Sequence, residues 1–180
     1  TSDNVNGSKL AVNELYKRKC KKLLHITRKI ENNAALNYRK FGFEAACKEL
    51  NLNYSIFNCN CTSSEFRNEV NKFIKESYNK GVKFDGIFCA TDRYAQYVID
   101  ALDEMKIKIP DDVQIIGFDG VKSYPNEHLK ISTIKQDVEK LAIEAVNILE
   151  LIVNKNEVIE SKILPVSFLQ IETTKQIIID

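Results

Sequence analysis

Glycine and proline are scarce in this sequence, whose 180 residues include six glycines and three prolines. A long disordered linker needs more of both, so most of the chain is expected to be folded. Long apolar runs are missing as well. No segment approaches the ~20 apolar residues of a membrane-spanning helix, and the opening residues TSDNVNGSKL are too polar for a signal peptide.

A large excess of charge of either sign is also absent. The formal net charge is +1, which gives no global field that would attract nucleic acid or a membrane surface. Hydrophobic residues make up 44% and charged residues 28%, typical of a globular protein of about one domain. Five cysteines are an odd number and are poorly spaced for a disulfide framework, which favours a reducing, cytoplasmic compartment. Because no methionine opens the chain, we expect it to be part of a longer protein.

Hydrophobic periodicity predicts alternating helices and strands. Apolar stripes at helical spacing mark five helices, and short apolar runs mark the strands. The predicted helices cover residues 7–19, 38–50, 63–81, 92–105 and 137–153, and the predicted extended segments cover 22–27, 54–59, 84–91, 113–118, 131–135 and 161–172. Ser63 or Ser64 is the expected cap of the third helix. This alternation predicts an α/β fold with a parallel sheet sandwiched by helices.

Ligands of open parallel sheets bind at the carboxyl ends of the strands, so polar residues there are site candidates. Asp119 ends the strand VQIIGF and stands between Gly117 and Gly120. An acid in a tight turn and an acceptor presented to a ligand explain it about equally well. Asp92 is better explained as a helix cap than as a site residue, which leaves the Thr91 hydroxyl free for a ligand.

Arg39 lies early in its predicted helix, where the helix dipole slightly disfavours a cation. Most helical arginines are solvated. A hydroxyl-rich or anionic ligand would nevertheless compensate for this position, because a guanidinium holds two oxygens at once.

Other constellations give little support for catalysis, a metal or a cofactor. The pair Cys59 and Cys61 has no partnering cluster for zinc, and His25, inside an apolar strand, is expected to be a core residue. His128 has no evident catalytic partner. The basic run 16–22 is expected to be a solvated helix end. Phosphate-loop and dinucleotide-binding patterns are absent, which argues against a nucleotide-dependent enzyme.

Four sequence pieces, in order, resemble the effector-binding domain of lactose-repressor-family bacterial transcription regulators. The central piece is DGIFCATDRYAQYVIDALDEMKIKIPDDVQIIGFDG, residues 85–120. The family has at this place a strand ending in Asn-Asp, a helix, a Val-Pro loop and a strand ending in Gly-Phe/Tyr-Asp. The other pieces are DNVNG at 3–7, RKFGF at 39–43, and STIKQD at 132–137 followed by ILPVSFLQIETT at 163–174.

This resemblance implies a type I periplasmic-binding-protein-like fold, in which a sugar or nucleobase lies between two subdomains. It implies that Arg39 and Asp119 bind the effector, that Thr91 and Asp92 lie in the cleft, and that Gln136 belongs to the segment crossing between subdomains. Thr91 replaces the family's asparagine.

Carried over to the whole chain, the resemblance predicts three parts. Residues 1–135 would form most of the carboxyl-terminal effector-binding subdomain, residues 136–158 a helix returning to the first subdomain, and residues 159–180 the closing strands and tail. The implied protein is a sugar-responsive, homodimeric repressor that is not an enzyme. It would bind operator DNA through a helix-turn-helix domain missing from this chain. The alternative is a sugar-binding receptor of a transport system with the same fold.

Overall fold

A single mixed sheet carries the fold in the computed structural model of this chain, which describes residues 1–30, 33–120, 130–155 and 161–177. The helices are α1 (Asn4–Lys17), α2 (Ala34–Glu49), α3 (Ser63–Asn79), α4 (Asp92–Glu104) and α5 (Val138–Lys155). The strands are β1 (Lys22–Arg28), β2 (Asn53–Cys59), β3 (Gly86–Cys89), β4 (Gln114–Asp119), β5 (Thr133–Gln136) and β6 (Val166–Leu169).

The strand order is β2-β1-β3-β4-β5-β6, and every neighbouring pair is parallel except β5 and β6, which are antiparallel. The predicted α/β class with helices on both faces is therefore confirmed. The carboxyl ends of β1, β3 and β4 meet at one edge because these three strands are adjacent and parallel.

Two apolar layers pack against the two faces of the sheet. One layer joins α3 and α4 to the sheet through side chains such as Phe66, Val98 and Ile115. The other joins α1 and α2 to the opposite face through side chains such as Leu15, Phe43 and Phe118. Strands that are buried on both faces have continuous apolar sequences, and for this reason they could be predicted from the sequence.

Helix starts differ from the predictions because polar side chains outside the apolar stripes set them. Asp3 caps α1 by accepting a hydrogen bond from the Asn6 amide, and Asn33 caps α2 well before the predicted start. The predicted cap of α3 at Ser63 or Ser64 is wrong: Thr62 occupies it, in a capping box with Glu65. Of the predicted extended segment 161–172, only Val166–Leu169 is a strand.

The cysteine prediction is wrong for one pair. Cys59 and Cys61 are bonded to each other as a disulfide at the end of β2, whereas Cys20, Cys47 and Cys89 are free and buried. No helix among the described residues is long and apolar enough to span a membrane.

Candidate functional site

Arg39 and Asp119 meet at the carboxyl edge of the sheet. Arg39 Nη1 lies 3.0 Å from Asp119 Oδ1, although 80 residues separate them in the chain. The side chain of Arg39 is 7% exposed and that of Asp119 is 28% exposed. The pair thus has one buried member and one that reaches solvent, as expected for a group presented to a ligand.

The guanidinium of Arg39 is held from several sides. Its Nε donates to Asn4 Oδ1 at 2.8 Å, and Nη1 donates to the carbonyl oxygen of Ala90 at 2.6 Å. The guanidinium carbon lies 3.6 Å from the centroid of the Phe118 ring, a cation–π contact. Nη2 forms no hydrogen bond with a described residue, so its N–H groups remain for another acceptor. Arg39 is a fixed donor rather than a solvated surface cation.

Asp119 stands in an unusual backbone conformation. Its φ is +117°, and Gly120 follows with φ of +79°. A positive φ at a residue other than glycine costs about 1–3 kcal/mol and persists only where the surroundings impose it. The carboxylate does not fold back onto the turn; Oδ1 accepts hydrogen bonds from Arg39 and from Gln136 Nε2 at 2.8 Å. No described residue donates to Oδ2, which leaves one oxygen for a ligand.

Gln136 connects this pair to the beginning of the chain. Its Oε1 accepts a hydrogen bond from Ser2 Oγ at 2.6 Å, while its Nε2 donates to Asp119. The sequence placed Gln136 in a crossing segment but did not show that it touches Asp119.

Thr91, and not Asp92 as the sequence favoured, is the residue that caps α4. Thr91 is the N-cap of α4, because its backbone is extended and its hydroxyl accepts a hydrogen bond from the Tyr94 amide at 3.2 Å. Asp92 already lies in the helix and is buried. Its Oδ2 accepts from the Gly120 amide at 2.8 Å, and its Oδ1 accepts from Thr133 Oγ1 at 2.6 Å. The cap assignment for Asp92 is therefore wrong, and the Thr91 hydroxyl is partly occupied.

Asp92 thereby fixes the turn that carries Asp119. Gly117 makes this possible, since a Cβ at that position would overlap Asp92 Oδ1. Glycine at position 117 is therefore explained by the close approach of Asp92.

A cavity of ≈ 310 Å³ opens beside Asp119. Polar side chains and aromatic rings line it together: Arg28, Ser63, Phe66, Thr91, Arg93, Tyr94, Tyr97 and Asp119. A second depression of ≈ 640 Å³ is lined by residues that include Gly120, Gln136 and Val166. Sequence reasoning missed Asn4, Arg28 and the tyrosines, although Asn4 stood in a piece quoted for the resemblance.

Burial dominates the electrostatics of the pair. Desolvation raises the pKa of Asp119, and the opposing effects of Arg39 and Gln136 offset it only in part. Desolvation likewise lowers the pKa of Arg39, against the attraction of Asp119. Further polar contacts to the carboxylate, such as ligand hydroxyls, would favour its charged form.

His25 is a core residue, as the sequence indicated. Its ring stacks between Phe43 and Phe88, with centroids 5.0 Å and 4.9 Å away, and Nδ1 lies 3.0 Å from the Phe88 carbonyl oxygen. A carbonyl only accepts, so Nδ1 carries the hydrogen. His128 lies outside the described residues. Among the described residues, no group of three or more His, Cys, Asp or Glu side chains is placed to hold a metal ion.

Residues 12–172 match the family described as periplasmic binding protein-like domain. The chain belongs to this family. Among curated members, a ribose operon repressor from Lactococcus lactis subsp. lactis is 28% identical over 176 residues, which are 97% of this chain and 53% of that protein. A sucrose operon repressor from Streptococcus mutans is 28% identical over 174 residues, which are 96% of this chain and 52% of that protein. The chain spans about half the length of these relatives.

Solved structures of this family superpose well on the chain. A periplasmic binding protein/LacI transcriptional regulator from Alkaliphilus metalliredigens, complexed with D-xylulofuranose, has a TM-score of 0.79 and 30% identity, covering 97% of this chain and 65% of that one. A LacI-family regulator from Enterococcus faecium with bound ribose has a TM-score of 0.80 and 22% identity, covering 96% and 63%. These matches confirm the resemblance to lactose-repressor-family regulators and the type I periplasmic-binding-protein-like fold.

Proposed function

We propose that this chain is the effector-binding portion of a sugar-responsive transcriptional repressor, and that Arg39 and Asp119 bind the effector. The observation that carries this proposal is the ion pair at the carboxyl edge of the sheet, in which Asp119 Oδ2 accepts from no described residue and the Asp119 backbone is held at positive φ. A carboxylate that accepts from two hydroxyls of a sugar ring gains strong, directional hydrogen bonds. The repressor names and the sugar complexes among the relatives support the same ligand class.

Thr91 and Asp92 take supporting places in this proposal. Thr91 lines the cavity beside Asp119, where its hydroxyl can still donate a hydrogen bond to a ligand. Asp92 positions the Asp119 turn through the Gly120 amide.

The division of the chain into residues 1–135, 136–158 and 159–180 belongs to this proposal. It is supported by α5, whose apolar side chains Val138, Ile143, Val146, Leu149 and Val153 are more than half exposed. A second subdomain would cover such a stripe. The division is also supported by two chain segments that run side by side near Gln136, one around Asp3 and one around Leu164. The Asp3 amide donates a hydrogen bond to the Leu164 carbonyl oxygen at 2.8 Å. These two segments would be the connections between the subdomains.

The mechanism follows from differential affinity. An effector that bridges the two subdomains binds one of their relative orientations more tightly than the other. The difference between these two binding free energies is the amount by which the effector stabilises the favoured orientation. In a cytoplasmic homodimer this change would alter how operator DNA is bound through a separate amino-terminal domain. The chain would act by binding and not as an enzyme.

One observation favours the alternative, a sugar-binding receptor of a transport system. The matched family is described as periplasmic binding protein-like, and one structural relative is named both a periplasmic binding protein and a LacI transcriptional regulator. The native amino-terminal sequence separates the two candidates, because a repressor begins with a helix-turn-helix and an exported receptor with a signal peptide.

The binding proposal is tested by calorimetry on the full-length protein with ribose, xylulose, fructose and sucrose. Asp119→Ala and Arg39→Ala are each expected to weaken binding of the recognised sugar about 100-fold or more, since each removes charged hydrogen bonds to the ligand. Circular dichroism verifies that the variants are folded. Asp100→Asn is the matched control, because Asp100 pairs with Arg67 on the surface, 2.8 Å away. Unchanged affinity in Asp119→Ala would remove this residue from the site.

A further inference from the structure

Two arginines line the cavity beside Asp119. Arg28 ends β1, and Arg93 lies in the first turn of α4. They come from different elements and meet at the cavity because β1 and β3 are neighbours and α4 directly follows β3. Neither is among the residues to which the sequence resemblance assigned a role.

Neither guanidinium group has a counter-charge among the described residues. No described acid lies within ion-pair distance of Arg28 or Arg93. Arg28 Nη1 donates to Ser63 Oγ at 2.6 Å, whereas its Nε is buried without a hydrogen-bond partner among the described residues. A buried donor without an acceptor is costly, and Arg28 faces the cavity with no described carboxylate to offset its charge.

The acids nearby are committed elsewhere. Asp119 accepts from Arg39 and Gln136, and Asp92 is buried against Gly120 and Thr133. Glu65 accepts from the amide and hydroxyl of Thr62 in the capping box of α3. The charge that faces the cavity from Arg28 and Arg93 is therefore not neutralised by these carboxylates.

The first turns of two helices add to the positive potential. Ser63, the first residue of α3, and Thr91, the N-cap of α4, both line the cavity. Helix N-termini favour negative charge, although Thr62, Glu65 and Thr91 already satisfy part of their N–H groups. The helix ends strengthen a site that the two arginines define.

We propose that the effector is a phosphorylated sugar, whose phosphate is held by Arg28, Arg93 and Ser63 while its hydroxyls bond to Asp119. This inference rests on the proposed function and specifies its ligand class. A phosphomonoester carries a charge of about −1.5 to −2 at pH 7, which matches two guanidinium groups. Each guanidinium can bond two phosphate oxygens, and the rings of Phe66, Tyr94 and Tyr97 shape the remaining wall.

The test compares matched ligand pairs by calorimetry on the full-length protein: ribose with ribose 5-phosphate, and fructose with fructose 6-phosphate. One phosphorylated sugar is expected to bind at least roughly tenfold more tightly than its neutral partner. Arg93→Gln and Arg28→Gln should each remove most of that preference, because each should weaken binding of the phosphorylated sugar more than binding of the neutral sugar. Arg28→Lys should keep more of the preference than Arg28→Gln. Lys75→Gln, which removes a surface cation that pairs with Glu104 outside the cavity, is the control and should keep the full preference.

The outcomes separate this inference from the proposed function. Neutral sugars that bind as tightly as their phosphates, or a preference unchanged in both glutamine variants, would contradict the phosphate assignment alone. If ribonate bound more tightly than ribose 5-phosphate, the group recognised by the arginines would be a carboxylate, and the phosphate assignment would be wrong. Absence of binding by any sugar or sugar phosphate of the panel would contradict the proposed function itself.

Discussion

Asp119 illustrates how much a single residue depends on neighbours that are remote in the chain. Its carboxylate is aimed by Arg39 and Gln136, and its backbone turn is held by Asp92 through the Gly120 amide. None of these three side chains is adjacent to Asp119 in sequence. The positive φ of Asp119 is maintained because this network restrains it, which is the usual setting of strained backbone at a functional site.

Gly117 gives a prediction at this scale. Gly117→Ala places a methyl group against Asp92, whose Cα would lie 3.1 Å from the new Cβ, so α4 or β4 must shift. We expect a loss of about 1–3 kcal/mol in the free energy of unfolding, measured by urea denaturation. Because Asp92 holds the Asp119 turn, sugar affinity should fall as well.

Gly81→Ala is the matched control for this substitution. Gly81 has φ of +75°, but no neighbouring atom lies within 4 Å of the position that an alanine Cβ would occupy, so only backbone strain opposes alanine there. Its cost should be about 1–2 kcal/mol with sugar affinity unchanged. If Gly117→Ala also kept the parent affinity, Asp92 would not position the site.

At the scale of elements, α5 differs from the other helices. The helices α1 to α4 bury apolar stripes against the sheet, whereas no residue of α5 is fully buried among those whose side chains are described. Its exposed apolar stripe is the kind of surface that another subdomain or another protein molecule covers.

We therefore expect the 180-residue chain to self-associate through α5, as measured by sedimentation velocity over a range of concentrations. The double variant Val146→Glu/Leu149→Glu, at side chains that are 56% and 60% exposed, should weaken association at least roughly 100-fold, since burying each side chain stabilises by about 1.5–3 kcal/mol. Val82→Glu, an exposed apolar position outside α5, should have no comparable effect. A monomer at every concentration would contradict this use of α5.

At the scale of the whole molecule, the free energy of unfolding depends on pH through His25, which is buried in strand β1. Burial lowers the pKa of His25 to about 3, with the bond to the Phe88 carbonyl opposing this effect in part. In the unfolded chain the pKa returns to about 6.5. Between these values the unfolded state binds a proton that the folded state does not, so stability falls as pH decreases from about 6.5 toward about 3.

Comparison with His25→Gln isolates this contribution. Glutamine keeps an N–H donor but does not titrate, so it lowers stability overall while removing the histidine part of the pH dependence. From pH 7 to pH 5 the parent protein should lose about 2 kcal/mol more unfolding free energy than the variant, at up to about 1.4 kcal/mol per pH unit. Denaturation curves at several pH values measure the difference. Parallel pH profiles would show that His25 is not buried as the neutral form.

Apolar periodicity in the sequence was enough to predict the order and type of the described elements, because each helix or buried strand must hide its own apolar side chains. Helix starts were less predictable. The pair Thr91 and Asp92 shows why: both residue types are good caps, and only the backbone conformation of Thr91 and the remote partners of Asp92 distinguish them.

The sequence by itself determined the α/β class, the family resemblance and the candidates Arg39 and Asp119, since these depend on local pattern and motif. Only the tertiary structure decided that the two side chains form an ion pair, that Gln136 and Asn4 complete the network, and that Arg28 and Arg93 face the same cavity. The physical reason is the order of the strands. Side chains far apart in the chain come within bonding distance when parallel strands end at one edge, and burial there sets their charges and partners.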